Sequence, residues 1–309
     1  MVILVHTTGI GFGRFGVQLF FVISGYLLGL YYETQTNTQF LIHRVFRLFP
    51  LAIFFILVFY LDQIGSFKNI FLNLSLTQNL WWNWGSFPGG WSISSEWIYS
   101  IILILIAQFK LRQLTILLGI ICILQFSSGL YVYLVGGVSQ LDSSADYMFK
   151  TWLNTTNPYI NLGFFVVGII LRRSASRILK FNKTLLFIVV FAMIVVDSIV
   201  GHLMIGWQFA IPAVFILCLG ISPNSGGVVR VCNFVGKRTY GIFFVHFLIW
   251  NNLSIFFSEA FLVFVLTHPI GKLFQFLFVY ILAIIGGALT YKFIEKPFLK
   301  LSYKITNKL

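Results

Sequence analysis

Long apolar runs follow one another along almost the whole 309-residue chain, broken only by short polar connections. A helix that crosses a bilayer needs roughly 20 apolar residues, and runs of about that length recur. The pattern predicts spans near residues 15–32, 48–63, 96–109, 113–135, 159–171, 184–201, 204–221, 240–258 and 273–293, with a partial one at 1–8. The predicted fold is therefore all-α: a polytopic transmembrane helical bundle of about ten spans, the first one truncated. The longest polar gaps, 62–90 and 136–158, run to about 25 residues, well short of the roughly 50 that an independent soluble domain requires. One integral-membrane domain over residues 1–309 is expected.

The run that begins at Met1 is too short to span. At about 1.5 Å per residue, MVILV and the few residues after it cannot cross about 30 Å of hydrocarbon. No charged segment precedes the run and no small-residue cleavage site follows it, so it does not read as a signal peptide. The rest of a first helix is expected upstream of Met1, and ten spans would then return both termini to one side.

Composition agrees with the pattern. Hydrophobic residues make up 59% of the chain and charged residues only 9%, against about 25% charged in ordinary globular domains. The net charge of +13 raises the question of nucleic acid, but its distribution answers it. Alternate connections collect Arg44 and Arg47, Lys110 and Arg112, the run from Arg172 to Lys183, Arg230 with Lys237 and Arg238, and the lysines from Lys292 to Lys308. The other set holds only Arg14, Lys68, Lys150 and Lys272 of the 21 basic residues. Such asymmetry follows the positive-inside rule, placing the rich set and the C-terminus in the cytosol. No nucleic-acid partner is implied, whereas membrane lipids are. Cys122, Cys218 and Cys232 lie far apart, so neither a disulfide framework nor a metal site is expected.

Ionisable groups within this apolar frame are the candidates for chemistry, because one at mid-membrane costs about 2.5–3.5 kcal/mol on insertion scales. His6 can act as general base towards a hydroxyl, or serve as a hydrogen-bonded histidine between helices. Arg44 and Arg47 stand three apart on one helical face, just before the span at Phe49 and Pro50. They can anchor the span or grip phosphates bidentately. Glu96, after Trp91, Ser92 and Ser95, can complement a helix dipole or form a polar pocket floor with those neighbours. His246, inside YGIFFVHFLIW, leans structural. Glu295 at the exit of the last span marks an interface, and Pro297 ends the regular helix. Trp81, Trp82 and Trp84 read as an aromatic belt at the outer interface. The pattern Gly11-x-Gly13-x-x-Gly16 lies between membrane segments rather than in a βαβ unit, so it is not a dinucleotide site.

Several stretches together resemble one family. They are His6 followed by GxxGVQLFFVISGYLLG (13–29, containing Ser24), FLIHRVFRLFP (40–50), GGWSISSEWIYS (89–100), VGKRTYGIFFVHFLIW (235–250) and IEKPF (294–298). Their order and spacing resemble the acyltransferase 3 family, multipass membrane proteins that move acyl groups, commonly acetyl, from acyl-CoA onto sugars and other acceptors. The resemblance implies that His6 is the catalytic histidine and that Arg44 and Arg47 form the Arg-x-x-Arg pair associated with the acyl donor. It implies a Trp-Ser-x-Ser-x-Glu element at Trp91, Ser92 and Glu96, in which Glu96 joins His6 as a catalytic candidate that orients a partner or the acceptor. The family's arginine eleven residues before the histidine would fall upstream of Met1. Expected on this basis is O-acyl transfer from cytosolic acyl-CoA, acetyl-CoA foremost, to a hydroxyl of a cell-surface glycan or glycolipid precursor. The setting would be the bacterial inner membrane, with no metal required. A transporter or flippase is the rival reading, although neither inverted repeats nor paired interrupted helices are visible.

Overall fold

The computed structural model describes residues 13–60, 66–81, 89–134, 156–174 and 226–308. Among these, every regular element is helical. In chain order they are α1 (Gly13–Tyr32), α2 (Asn37–Phe55), α3 (Phe67–Leu74), α4 (Gly90–Ile106), α5 (Leu111–Leu134) and α6 (Pro158–Arg173). After the undescribed stretch come α7 (Gly226–Gly236), α8 (Thr239–Asn251), α9 (Glu259–Thr267), α10 (Pro269–Thr290) and α11 (Lys296–Thr306). Three stretches, Asn37–Phe59, Leu111–Ser128 and Pro269–Thr306, are long and apolar enough to cross a membrane, and Gly16–Leu30 and Gly90–Ile106 are shorter apolar helices. The expected spans at 1–8, 184–201 and 204–221 lie outside the described residues.

Two helices start earlier than hydropathy predicts, and each start has a local cause. α2 begins at Asn37 rather than near residue 48 because Thr36 and Gln39 form a capping box: the Gln39 amide donates to Thr36 Oγ1 at 3.3 Å and the Thr36 amide to Gln39 Oε1 at 3.1 Å. Such a box satisfies two backbone donors at once. Arg44 and Arg47 therefore lie inside the helix, not ahead of it. Pro50 sits within α2, which ends in a π turn at Ile56–Tyr60. α4 likewise begins at Gly90, so the whole WSISSE stretch is helical. Gly89 caps it at φ 75°, where a side chain would also meet the Phe243 and Phe247 rings at 2.6 Å. Only glycine meets both demands without strain.

A third boundary differs at the C-terminus. Pro297 does not end the last helix. α10 passes through a π turn at Tyr291–Glu295 and continues as α11, with Pro297 in the first turn of that helix. The proline's missing N–H falls where the π turn meets α11. The predicted span at 240–258 also divides, into α8 and a 3₁₀ turn at Leu253–Ile255.

Among the described residues, two apolar cores hold the helices. Phe21 and Val22 of α1, Tyr99 of α4, Leu114 of α5 and Phe165 of α6 make one. Leu48, Leu51 and Phe55 of α2, Phe244 and Val245 of α8, and Val279 and Ala283 of α10 make the other. Phe20 of α1 borders both. Glycines bring backbones together within each. A Cβ on Gly25 would sit 2.0 Å from the Phe165 carbonyl oxygen, and one on Gly168 would sit 2.2 Å from that of Val22. Close approach of this kind is how helices associate in lipid, where no hydrophobic force separates helix from solvent.

Candidate active site

Three helices distant in sequence bring their charged groups to one buried place. Arg44 of α2 is 8% exposed and Glu96 of α4 only 2%. The Arg44 Nη2 donates to Glu96 Oε1, while Arg44 Nε donates to Ser100 Oγ at 3.0 Å. Tyr240 of α8 donates its hydroxyl to the second carboxylate oxygen, Glu96 Oε2. Ser100 in turn donates to the Glu96 carbonyl at 2.8 Å. Each partner is thus charge-compensated and hydrogen-bonded, the condition under which ionised groups survive burial.

Arg47, one turn along α2, is held differently. Its guanidinium lies over the Tyr240 ring, 4.9 Å from the centroid, a cation–π arrangement. Its Nη1 is 3.8 Å from Glu295 Oε2, an ion pair too long to be a hydrogen bond. The Arg47 side chain keeps 23% of its surface exposed and Glu295 only 1%. Neither Glu295 carboxylate oxygen has a hydrogen-bond partner among the described residues. Arg44 is therefore locked by Glu96 and Ser100, whereas Arg47 retains donors that are not committed to a hydrogen bond among the described residues.

The serines ahead of Glu96 shape one end of the site. Ser92 Oγ donates to the Gly89 carbonyl at 2.8 Å, and Ser94 Oγ donates to the Leu76 carbonyl at 2.7 Å. Asn79, fully buried, reaches Ser95 Oγ at 2.9 Å and the Thr156 carbonyl at 2.7 Å through its Nδ2. WSISSE therefore ties the 3₁₀ turn at Gln78–Trp81 and residue 156 to the start of α4. Trp91 stands edge-on to Phe21, with ring centroids 6.2 Å apart. Ser24 is buried on α1, on the face that includes Phe21 and Leu28.

The structure thus joins Arg44, Arg47 and Glu96, with Trp91 and Ser92 on the helix that carries Glu96. His246 lies elsewhere on α8, about 9 Å beyond Tyr240 at the helical rise. It is buried with its ring 4.0 Å from that of Phe247 and its Nδ1 3.3 Å from the Ile242 carbonyl oxygen. His6 lies outside the described residues. Two members of the cluster escape sequence reading. Ser100 stands four residues after Glu96, a spacing that places both on one face and could have exposed it. Tyr240 is one tyrosine among 13, with no local pattern that singles it out.

A family model described as "Acyltransferase domain", that of acyltransferase 3, matches residues 1–292. The chain belongs to the acyltransferase 3 family. As a family member it is a multipass membrane acyltransferase, and an acyl donor and an acceptor are its substrates. No curated protein and no solved structure matches it. In this acyltransferase the family match spans every stretch from which the charged cluster is built, up to Lys292; Glu295 falls just beyond it.

Proposed function

We propose that this acyltransferase moves an acyl group, acetyl foremost, from cytosolic acyl-CoA to a hydroxyl of a cell-surface glycan or glycolipid precursor. The observation that carries the reading is the convergence of Arg44, Arg47, Glu96 and Tyr240 inside an apolar helical body. Ionisable groups buried in a membrane-spanning body point to a functional site by default. Arg47 supplies uncommitted guanidinium donors for the phosphates of acyl-CoA, which a planar fork binds in two contacts. Arg44 fixes the electrostatic frame, and Glu96 holds Arg44 and Tyr240 in place rather than touching the acceptor.

In the reaction His6 takes the proton of the acceptor hydroxyl as that oxygen attacks the thioester carbonyl. The C–S bond then breaks, and the CoA thiolate leaves and recovers the proton from the imidazolium. A second route, in which His6 first carries the acyl group, has the same balance. The thiolate is a good leaving group, so neither route needs a metal. The proposed setting is the bacterial inner membrane, with ten spans and the C-terminus in the cytosol.

Membranes containing the protein, incubated with labelled acetyl-CoA, test the reading. Label should enter a glycan or lipid fraction, and His6→Ala should abolish it without loss of membrane insertion. Near-normal labelling by that variant removes His6 from the mechanism. Solute uptake with no labelling would replace a transferase by a carrier.

A further inference from the structure

The helix that runs from Pro269 to Thr306 is 38 residues long, and at 1.5 Å per residue it measures about 57 Å. A hydrocarbon core of about 30 Å accommodates little more than half of that, so α11 must emerge into the headgroup region. On α11 and just past its end, Lys296, Lys300, Lys304 and Lys308 recur every fourth residue, and all four are exposed. Like charges at this spacing repel one another. No acidic residue occurs between 296 and 309, and none of the four lysines is in an ion pair among the described residues. Phe298 and Leu301, also on α11, are 40% and 44% exposed. A basic face flanked by exposed apolar side chains is the composition of a helix seated at a lipid interface.

The other face of α11 is occupied. Lys300 precedes Ser302 by two residues and Lys304 precedes Thr306 by two, which is about 200° around a helix. Ser302 and Thr306 are buried against α2. His43 Nδ1 is 3.1 Å from Ser302 Oγ and His43 Nε2 is 3.3 Å from Thr306 Oγ1, while Gln39 Nε2 donates to the Thr306 carbonyl at 3.4 Å. His43 immediately precedes Arg44. The lysines therefore face away from the arginine helix and from the candidate active site.

We propose that α11 is a docking surface for anionic phospholipid headgroups, and that in this seat it braces the arginine helix α2 through His43. The lysine face meets the acidic surface, Leu301 enters the acyl boundary, and the Ser302–Thr306 face, with Phe298 against Phe46, holds α2. This proposal does not depend on the acyl-transfer reading, and its test needs no acceptor.

The full chain, with its native cysteines replaced and a fluorophore on Asn307→Cys, is reconstituted into nanodiscs of phosphatidylcholine with spin-labelled phosphatidylglycerol or spin-labelled phosphatidylcholine at equal mole fraction. Quenching by the acidic lipid should exceed that by the zwitterionic one severalfold. The excess should vanish in K296Q/K300Q/K304Q/K308Q and survive when the four lysines become arginine. Equal quenching by both lipids, or an excess that the glutamine variant retains, overturns the proposal. Reversal by inorganic phosphate at constant ionic strength assigns the face to a soluble phosphate instead, and also overturns it. For the brace, the unfolding midpoint should rise when phosphatidylglycerol is added to the discs. That rise should be lost in His43→Ala, whatever its midpoint in phosphatidylcholine alone. A rise undiminished in His43→Ala overturns the brace while leaving the docking surface in place.

Discussion

Glu96 serves two partners with one carboxylate: it neutralises Arg44 and accepts from Tyr240, whose ring supports Arg47. Removing one member of a buried pair leaves the other charge uncompensated, which costs about 3–5 kcal/mol. Glu96→Ala should therefore destabilise the protein by about that amount, seen as a lower thermal midpoint in detergent. Combining Arg44→Met with Glu96→Gln removes both charges at similar volume, and the midpoint should return most of the way. Labelling from acetyl-CoA should stay impaired in the double variant, because the frame for Arg47 and Tyr240 is gone. A Glu96→Ala protein that melts like the parent would show that the pair does not hold the helices. At this scale the sequence reveals much: Arg44, Arg47 and Glu96 stand out because charges are rare in apolar runs. Tyr240 does not stand out, because its role depends on α8 lying beside α4, a relation between residues 144 positions apart.

Between helices, the crossing of α1 and α6 is set by the missing side chains of Gly25 and Gly168. A Cβ at Gly25 would meet backbone rather than a flexible side chain, so the helices themselves must separate. Overpacking of this kind typically costs about 1–3 kcal/mol, and Gly25→Ala should lower the thermal midpoint accordingly. Gly119→Ala, on a helix where a Cβ would meet nothing within 4 Å, is the matched control. It should leave the midpoint unchanged or raise it slightly, since alanine favours the helix. Equal effects at the two positions would refute the close crossing. Element positions were legible where hydropathy alone decides them: 113–135 became Leu111–Leu134 and 159–171 became Pro158–Arg173. Boundaries depart from hydropathy where capping or turn chemistry decides, as at Thr36, Gly89 and Pro297. Hydropathy is blind to a capping box, and it reads polar residues such as those of WSISSE as outside a helix even when neighbouring turns satisfy them.

For the whole molecule, the distribution of basic residues carries a claim about orientation that the helices alone do not. The charges group Arg230, Lys237 and Arg238 with Arg44, Arg47 and the C-terminal lysines, and the positive-inside rule predicts that this group faces the cytosol. Acyl-CoA would then reach Arg47 from the side on which it is made. Cys232 offers a direct probe: it is exposed on α7, between Arg230 and Lys237. With Cys122 and Cys218 replaced by serine, a membrane-impermeant maleimide added to sealed right-side-out vesicles should leave Cys232 unmodified. Permeabilised vesicles should be labelled to completion. Labelling in the sealed vesicles would invert the topology and place Arg47 away from the donor pool. Accessible Cys232 would thus overturn the direction of transfer without disturbing the helical fold or membership of the family, because only the charge asymmetry links the cluster to one face of the membrane.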